Sequence, residues 1–163
     1  SLAPALAALP RQVNLLLLSA QIQLGLGRTE PALAQFRTVL KNNPRYAPAI
    51  LETADALIDS NRADAAREVL ISHEQTLGTR METYRLLAQA ARAVNNTPEA
   101  QYQTANYLVA RGDAGGALAA LDAGLAISSL NASERARMKS RRDEIRMLLP
   151  ENWRPRQPDR GQR

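Results

Sequence analysis

The sequence predicts an all-α protein built from repeated pairs of antiparallel helices, and three observations carry that expectation. The 163 residues are 45% hydrophobic, dominated by alanine and leucine, with few β-branched residues and only six aromatics: Phe36, Tyr46, Tyr84, Tyr102, Tyr107 and Trp153. Such a composition suits helices and disfavours sheets, and the chain is long enough to bury the core of one domain. The second observation is a 34-residue period, with Val13, Ala47 and Met81 starting equivalent segments. The third is that the fifteenth place of each segment holds Gly27, Asn61 or Asn95, residues that tolerate the left-handed backbone closing a helix.

Each place in the period has a packing reason. The eighth place holds Ala20, Ala54 and Ala88, and the twentieth Ala32, Ala66 and Ala100. Small side chains there let two antiparallel helices cross closely. Large residues at the fourth place (Leu16, Ile50, Tyr84) and the twenty-fourth (Phe36, Leu70) fill the space around the crossing. Pro10 and Pro44, also 34 apart, each end an apolar helical run, while Pro31 and Pro98 sit in first turns, where a missing N–H costs nothing. Helices are expected at about 11–25, 30–42, 47–60, 63–76, 81–94, 98–110, 114–128 and 132–149. The turn-like Gly112-Asp113 followed by Ala117-Leu118 shifts the frame, so helix 98–110 serves two neighbours. The last helix opens on a capping box, Asn131 to Glu134, and its apolar face of Met138, Ile145 and Leu149 suits a cap over the end of a stack.

These helix–turn–helix positions resemble the tetratricopeptide repeat (TPR). The resemblance implies a right-handed α-solenoid of about eight helices, closed by a C-terminal capping helix. On this reading residues 1–10 are the remnant of a preceding repeat or a linker, 11–149 the solenoid, and 150–163 a disordered tail rich in arginine and proline. The start at Ser1, inside an alanine–leucine pattern and without a leader, suggests a piece of a longer protein.

Composition narrows the chemistry. With no cysteine and the single histidine His73, thiolate zinc sites, thiol nucleophiles and sites needing two imidazoles are excluded. His73-Glu74 opens like a zinc-protease motif, but Leu77 stands where the second histidine belongs, so His73 is expected to pack in a helix interface. The glycines at Gly112, Gly115 and Gly116 lack the lysine and strand of a phosphate loop, and no serine has a histidine base. No catalysis, metal or cofactor is expected in this chain. No uncharged stretch reaches the roughly 20 apolar residues of a transmembrane helix. The net charge of +5 is zero through residue 130 and accrues wholly beyond it, which disfavours general nucleic-acid binding.

Binding is the expected work. In TPR solenoids the first helices of each pair line a concave groove, and the resemblance assigns to it Asn14, Leu17, Gln21 and Leu24, then Leu51, Asp55, Ile58 and Asp59, then Glu82, Arg85, Gln89 and Arg92. The groove would run from neutral through acidic to basic. Arg85, Gln89 and Arg92 share a helical face that suits a carboxylate-bearing segment; equally, Asp55, Asp59, Arg85 and Arg92 can simply pair across adjacent helices. Leu17 and Gln21 stand where chaperone-binding relatives carry lysine and asparagine, which argues against a heat-shock co-chaperone. Arg135, Lys139, Arg142 and Arg146 form a basic stripe on the last helix, read either as a solvated face or as a contact for an acidic partner or anionic head groups.

The run Glu82-Thr83-Tyr84-Arg85-Leu86-Leu87-Ala88, with Glu99-Ala100, Tyr102, Tyr107-Leu108, Gly112-Asp113 and the arginine-rich final helix, resembles one family more narrowly. It is similar to the C-terminal repeat domain of periplasmic zinc metallopeptidases of the β-barrel assembly-enhancing type. The resemblance implies a periplasmic, non-catalytic domain that positions misassembled barrel proteins and contacts the outer-membrane barrel-assembly machinery. It also implies an upstream protease domain, which would hold the zinc. The alternative is a TPR scaffold of another assembly, such as a pilus, secretion or envelope machine, with no protease attached.

Overall fold

The computed structural model describes residues 3–150, with side chains from residue 11 onward. The expected tail at 150–163 lies outside the described residues except for Pro150. Among these residues the protein is all-α, with nine helices and no strand. They are α1 (Ala3–Gly25), α2 (Thr29–Asn42), α3 (Ala47–Asp59), α4 (Ala63–Ser72), the single turn α5 (Glu74–Leu77), α6 (Met81–Ala93), α7 (Thr97–Ala110), α8 (Ala114–Leu125) and α9 (Ala132–Arg146).

The turns follow the period. Gly27, Asn61 and Asn95 all have positive φ, at 76°, 59° and 58°, and Gly112 joins them at 81°. Each closes its helix with the same bond pair. Gly27 N–H donates to the Leu24 carbonyl (2.9 Å) while Arg28 N–H reaches back to Gln23 (2.9 Å). Asn61/Arg62, Asn95/Asn96 and Gly112/Asp113 repeat this arrangement, a Schellman closure that occupies the last carbonyls of the helix. Downstream starts are capped by side chains: Asn96 accepts from Glu99 N–H, Asp113 from Gly116 N–H, and Asn131 from Glu134 N–H, with Glu134 answering Asn131 N–H.

Consecutive helices pack on one another, except that α5 packs only on α4 and α4 passes on to α6. In addition α3 rests on α1, α6 on α3, and α9 on α7. The small places lie at the crossings: Ala20, Ala32, Ala54 and Ala66 are fully buried, and Ala88 and Ala100 nearly so. Phe36 and Leu70 fill the space beside them. The buried apolar residues form two clusters. One, from α1 to α6, contains Val13, Leu17, Phe36, Ile50, Leu70, Leu77 and Leu86; the other, from α7 to α9, contains Ala105, Leu118, Leu121, Met138 and Ile145. Between them lie Ala88, Ala90 and Ala91 of α6 and Ala100 of α7, buried but in neither cluster, and α6 packs on α7. In the second cluster Gly124 admits Met138 so closely that a Cβ there would lie 2.9 Å from its Sδ.

Three expectations change. α1 runs without interruption through Pro10, so Pro10 and Pro44 are not equivalent: the second lies in the turn between α2 and α3. One proline forfeits one backbone bond, and the alanine and leucine on both sides sustain the helix. The helix expected at 63–76 breaks at His73, whose φ of −112° ends α4. His73 itself is half-buried. Its Nδ1 turns back to the Val69 carbonyl (2.8 Å) and the Ser72 hydroxyl (3.0 Å) of its own helix. Leu16, at the large fourth place, is 48% exposed, whereas Ile50 at the same place is buried.

Candidate binding site

Two adjoining clefts open along the first helices. One, of about 480 Å³, lies between α1, the start of α2 and α3 and is lined by Gln21, Leu24, Glu52, Asp55 and Asp59. The other, of about 320 Å³, lies between α1, α3 and α6 and is lined by Gln21, Leu51, Glu52, Asp55, Glu82 and Leu86. Gln21, Glu52 and Asp55 are shared, so helices from three successive pairs contribute to one surface. The Gln21 amide donates to Glu52 and joins α1 to α3.

Of the residues expected on this face, Gln21, Leu24, Leu51, Asp55, Asp59 and Glu82 line the clefts. Leu17 does not: at 2% exposure it is part of the first core cluster, because its place on α1 falls beside Val13 and Ala20 on the buried side. Asn14 accepts from the Tyr46 hydroxyl (2.8 Å) and ties α1 to the start of α3, and Ile58 packs against the core. Arg92 donates to the Thr104 hydroxyl of α7 (2.7 Å).

The basic end of the expected gradient is not free. Arg85 Nε donates to Glu82 (2.8 Å), its NH1 to Gln89 (2.7 Å), and its NH2 stands 3.6 Å from Asp55. That guanidinium therefore serves the acidic residues around it, and its pKa rises, chiefly through its hydrogen bond to Glu82. Glu52, at the sixth place of its segment, belongs to the site although the groove positions of the repeat pattern omit it. Burial, and then the charge of Asp55, raise its pKa. Asp55 is also raised: burial outweighs the Arg85 charge, and Asp59 and Glu82 add to it. The face is a half-desolvated anionic surface short of positive charge.

The basic stripe is partly engaged by the fold. Arg135 donates to the Leu125 carbonyl (3.2 Å) and Arg142 pairs with Asp122 of α8 (3.1 Å), while Lys139 is exposed and Arg146 ends α9. The stripe's intervening arginines carry more structure than the stripe. Arg137 stacks 3.6 Å over the Tyr102 ring and donates to Glu99 (2.7 Å), and Arg141 donates to the buried Asn106 (2.9 Å). These side chains line a cavity of about 800 Å³ between α4, α6, α7 and α9, together with Thr83, Tyr84, Leu87 and Gln103. No spacing in the sequence announces it.

Burial pushes the Glu99 carboxyl up, but hydrogen bonds from Arg137 and Gln103 and the Arg137 charge outweigh this, and its pKa falls below 4.5. Being more acidic folded than unfolded, Glu99 contributes fully above its unfolded value and loses that contribution as pH falls through the lower folded one. Glu99→Gln is expected to cost about 1–2 kcal/mol at neutral pH, after screening at half-exposed Arg137. The cost should fade in acid, a difference that urea unfolding at pH 7 and pH 3 will read. Glu52 and Asp55 act in the opposite sense: their raised values make them weaken the fold as pH rises through the carboxylate range.

Among the described residues, no three His, Cys, Asp or Glu side chains converge as metal ligands, and no helix is long and apolar enough to cross a membrane. No family model matches the chain, and no curated protein matches it significantly.

Proposed function

We propose that this chain is a non-catalytic, TPR-type polypeptide-binding domain that positions a client along the face formed by α1, α3 and α6. The observation that carries the reading is that first helices of three successive pairs share one anionic surface around Gln21, Glu52 and Asp55. A repeat stack offers an elongated surface, which suits an extended or helical segment better than a small molecule. The half-buried carboxylates select a segment with a basic residue; a carboxylate-bearing one would meet an already committed Arg85.

The resemblance of about residues 10–149 to the repeat domain of periplasmic barrel-assembly proteases, carried most by the residues from Glu82 onward, supplies the setting. In it this domain presents misassembled outer-membrane barrel proteins to a zinc protease domain and contacts the assembly machinery, without itself holding the metal. The test is capture of unfolded barrel protein by the immobilised domain. Asp55→Lys, which reverses the charge at the centre of the face, is expected to weaken capture by about tenfold or more, since like charges juxtaposed at an interface cost several kcal/mol. Lys41→Glu, near the end of α2 and not among the residues lining either cleft, should leave it unchanged. Equal capture by the Asp55 variant overturns the assignment. A histidine–glutamate–x–x–histidine motif in the protein's upstream residues would support the protease setting, and its absence from the complete protein would remove that setting while leaving the binding face to stand.

A further inference from the structure

The two clefts along α3 share Gln21, Glu52 and Asp55 and differ in everything else that lines them. The larger, toward α1, adds Asp59 beside Leu24, Phe36 and Ala56. The smaller, toward α6, adds Glu82 among Pro48, Leu51 and Leu86. The carboxylate that each cleft holds alone tells them apart. Glu82 is bonded by Arg85, which also stands 3.6 Å from Asp55. Asp59 has no ion pair among the described residues, and Glu52 accepts only from the neutral Gln21 amide.

A cation therefore gains most on the α1 side, where the stem of a lysine or arginine can lie along Leu24 while its head reaches Glu52 and Asp59. On the α6 side the cleft's own carboxylate is already occupied by Arg85, and Pro48, Leu51 and Leu86 suit an aliphatic side chain. Helix geometry sets the separation. Leu51 and Asp59 lie eight residues apart on α3, about 12 Å along its axis at about 1.5 Å per residue. An extended chain rises about 3.3 Å per residue, so four residues span that distance, and side chains four apart project to the same side. An unfolded client presents its chain in that form.

We infer that this face recognises an extended client segment by two side chains four residues apart, a basic one seated between α1 and α3 and an aliphatic one seated between α3 and α6. The inference rests on the polypeptide-binding reading and adds to it the client's sequence pattern. The probe is an acetylated, amidated glycine–serine peptide carrying arginine and leucine four residues apart, made in both orders. It is titrated into the whole chain and followed by the amide chemical shifts of α3. In the tighter-binding order, citrulline in place of the arginine should weaken binding to the native chain about fivefold, the size of one good surface ion pair. On Glu52→Gln/Asp59→Asn the same exchange should change binding by less than about twofold. Alanine in place of the leucine should weaken binding about tenfold on the native chain and less than about threefold on Leu51→Ala. Both variants should keep native helical circular dichroism. Exchanges that cost the same on native and variant chains, peptides with the pair two or six apart that bind as well, or no shift in α3 with any peptide overturn the inference. Capture of unfolded barrel protein separates its failure from that of the reading beneath it. An Asp55→Lys domain that captures as well as the native one overturns both, whereas lost capture without the peptide pattern overturns the pattern alone.

Discussion

Phe36→Ala lowers the unfolding free energy by about 3–5 kcal/mol, the usual cost of deleting a buried aromatic ring, and drops the melting temperature by roughly 10 °C. Phe36 is fully buried in the first core cluster and also forms part of the floor of the 480 Å³ cleft. Its loss leaves a void beside Ala20 and Leu33, whose backbones are held by helix closures at Gly27 and Asn43 and so relax little. Because the cluster ends at α6, the damage stays on one side of the molecule. Amide exchange in α1–α6 is expected to quicken before exchange in α7–α9. A uniform loss of protection along the chain would show that the two clusters act as one.

Leu121→Ala is expected to cost about 2–5 kcal/mol in the other half. Leu121 is fully buried in the cluster with Met138 and Ile145, where Gly124 has already brought α8 against Met138. Here the exchange pattern should invert, with α8 and α9 losing protection first. The two substitutions share no cluster. Their effects should therefore add to within about 0.3–0.5 kcal/mol in the double variant, which denaturant titrations of the four proteins will measure. A larger shortfall or excess would mean that α6 and α7 transmit packing strain.

What the sequence made legible was whatever a 34-residue period controls. Gly27, Asn61 and Asn95 all adopt the left-handed turn, and the alanines at the eighth and twentieth places are buried at every crossing, because these positions are governed by backbone sterics and close approach. Asn131 and Glu134 were readable as a capping box for the same local reason. The candidate face was legible only by place. Gln21, Leu24, Leu51, Asp55, Asp59 and Glu82 line the clefts; the pairing of Arg85 with Asp55 was one of two open readings, but its bonds to Glu82 and Gln89 on its own helix were not foreseen. Glu52 was missed because the pattern treats its place as neutral, and Glu99 with Arg137 because their union spans α7 and α9, 38 residues apart. Pro10 misled for a different reason. A proline is a strong stop in isolation, but one lost backbone bond does not outweigh an alanine- and leucine-rich helix on both sides.

The alanine contact between α6 and α7 has a mechanical consequence. Methyl groups permit close backbone approach but remove little oily surface from water, so Ala88, Ala90, Ala91 and Ala100 add less apolar burial than the leucines of either cluster. Drawn out from its ends, the molecule is expected to part between the two clusters, into a larger piece that keeps Phe36 and Leu70 and a smaller one that keeps Leu121 and Ile145. A machine that threads and unfolds this chain meets two modest obstacles in succession instead of a single large one.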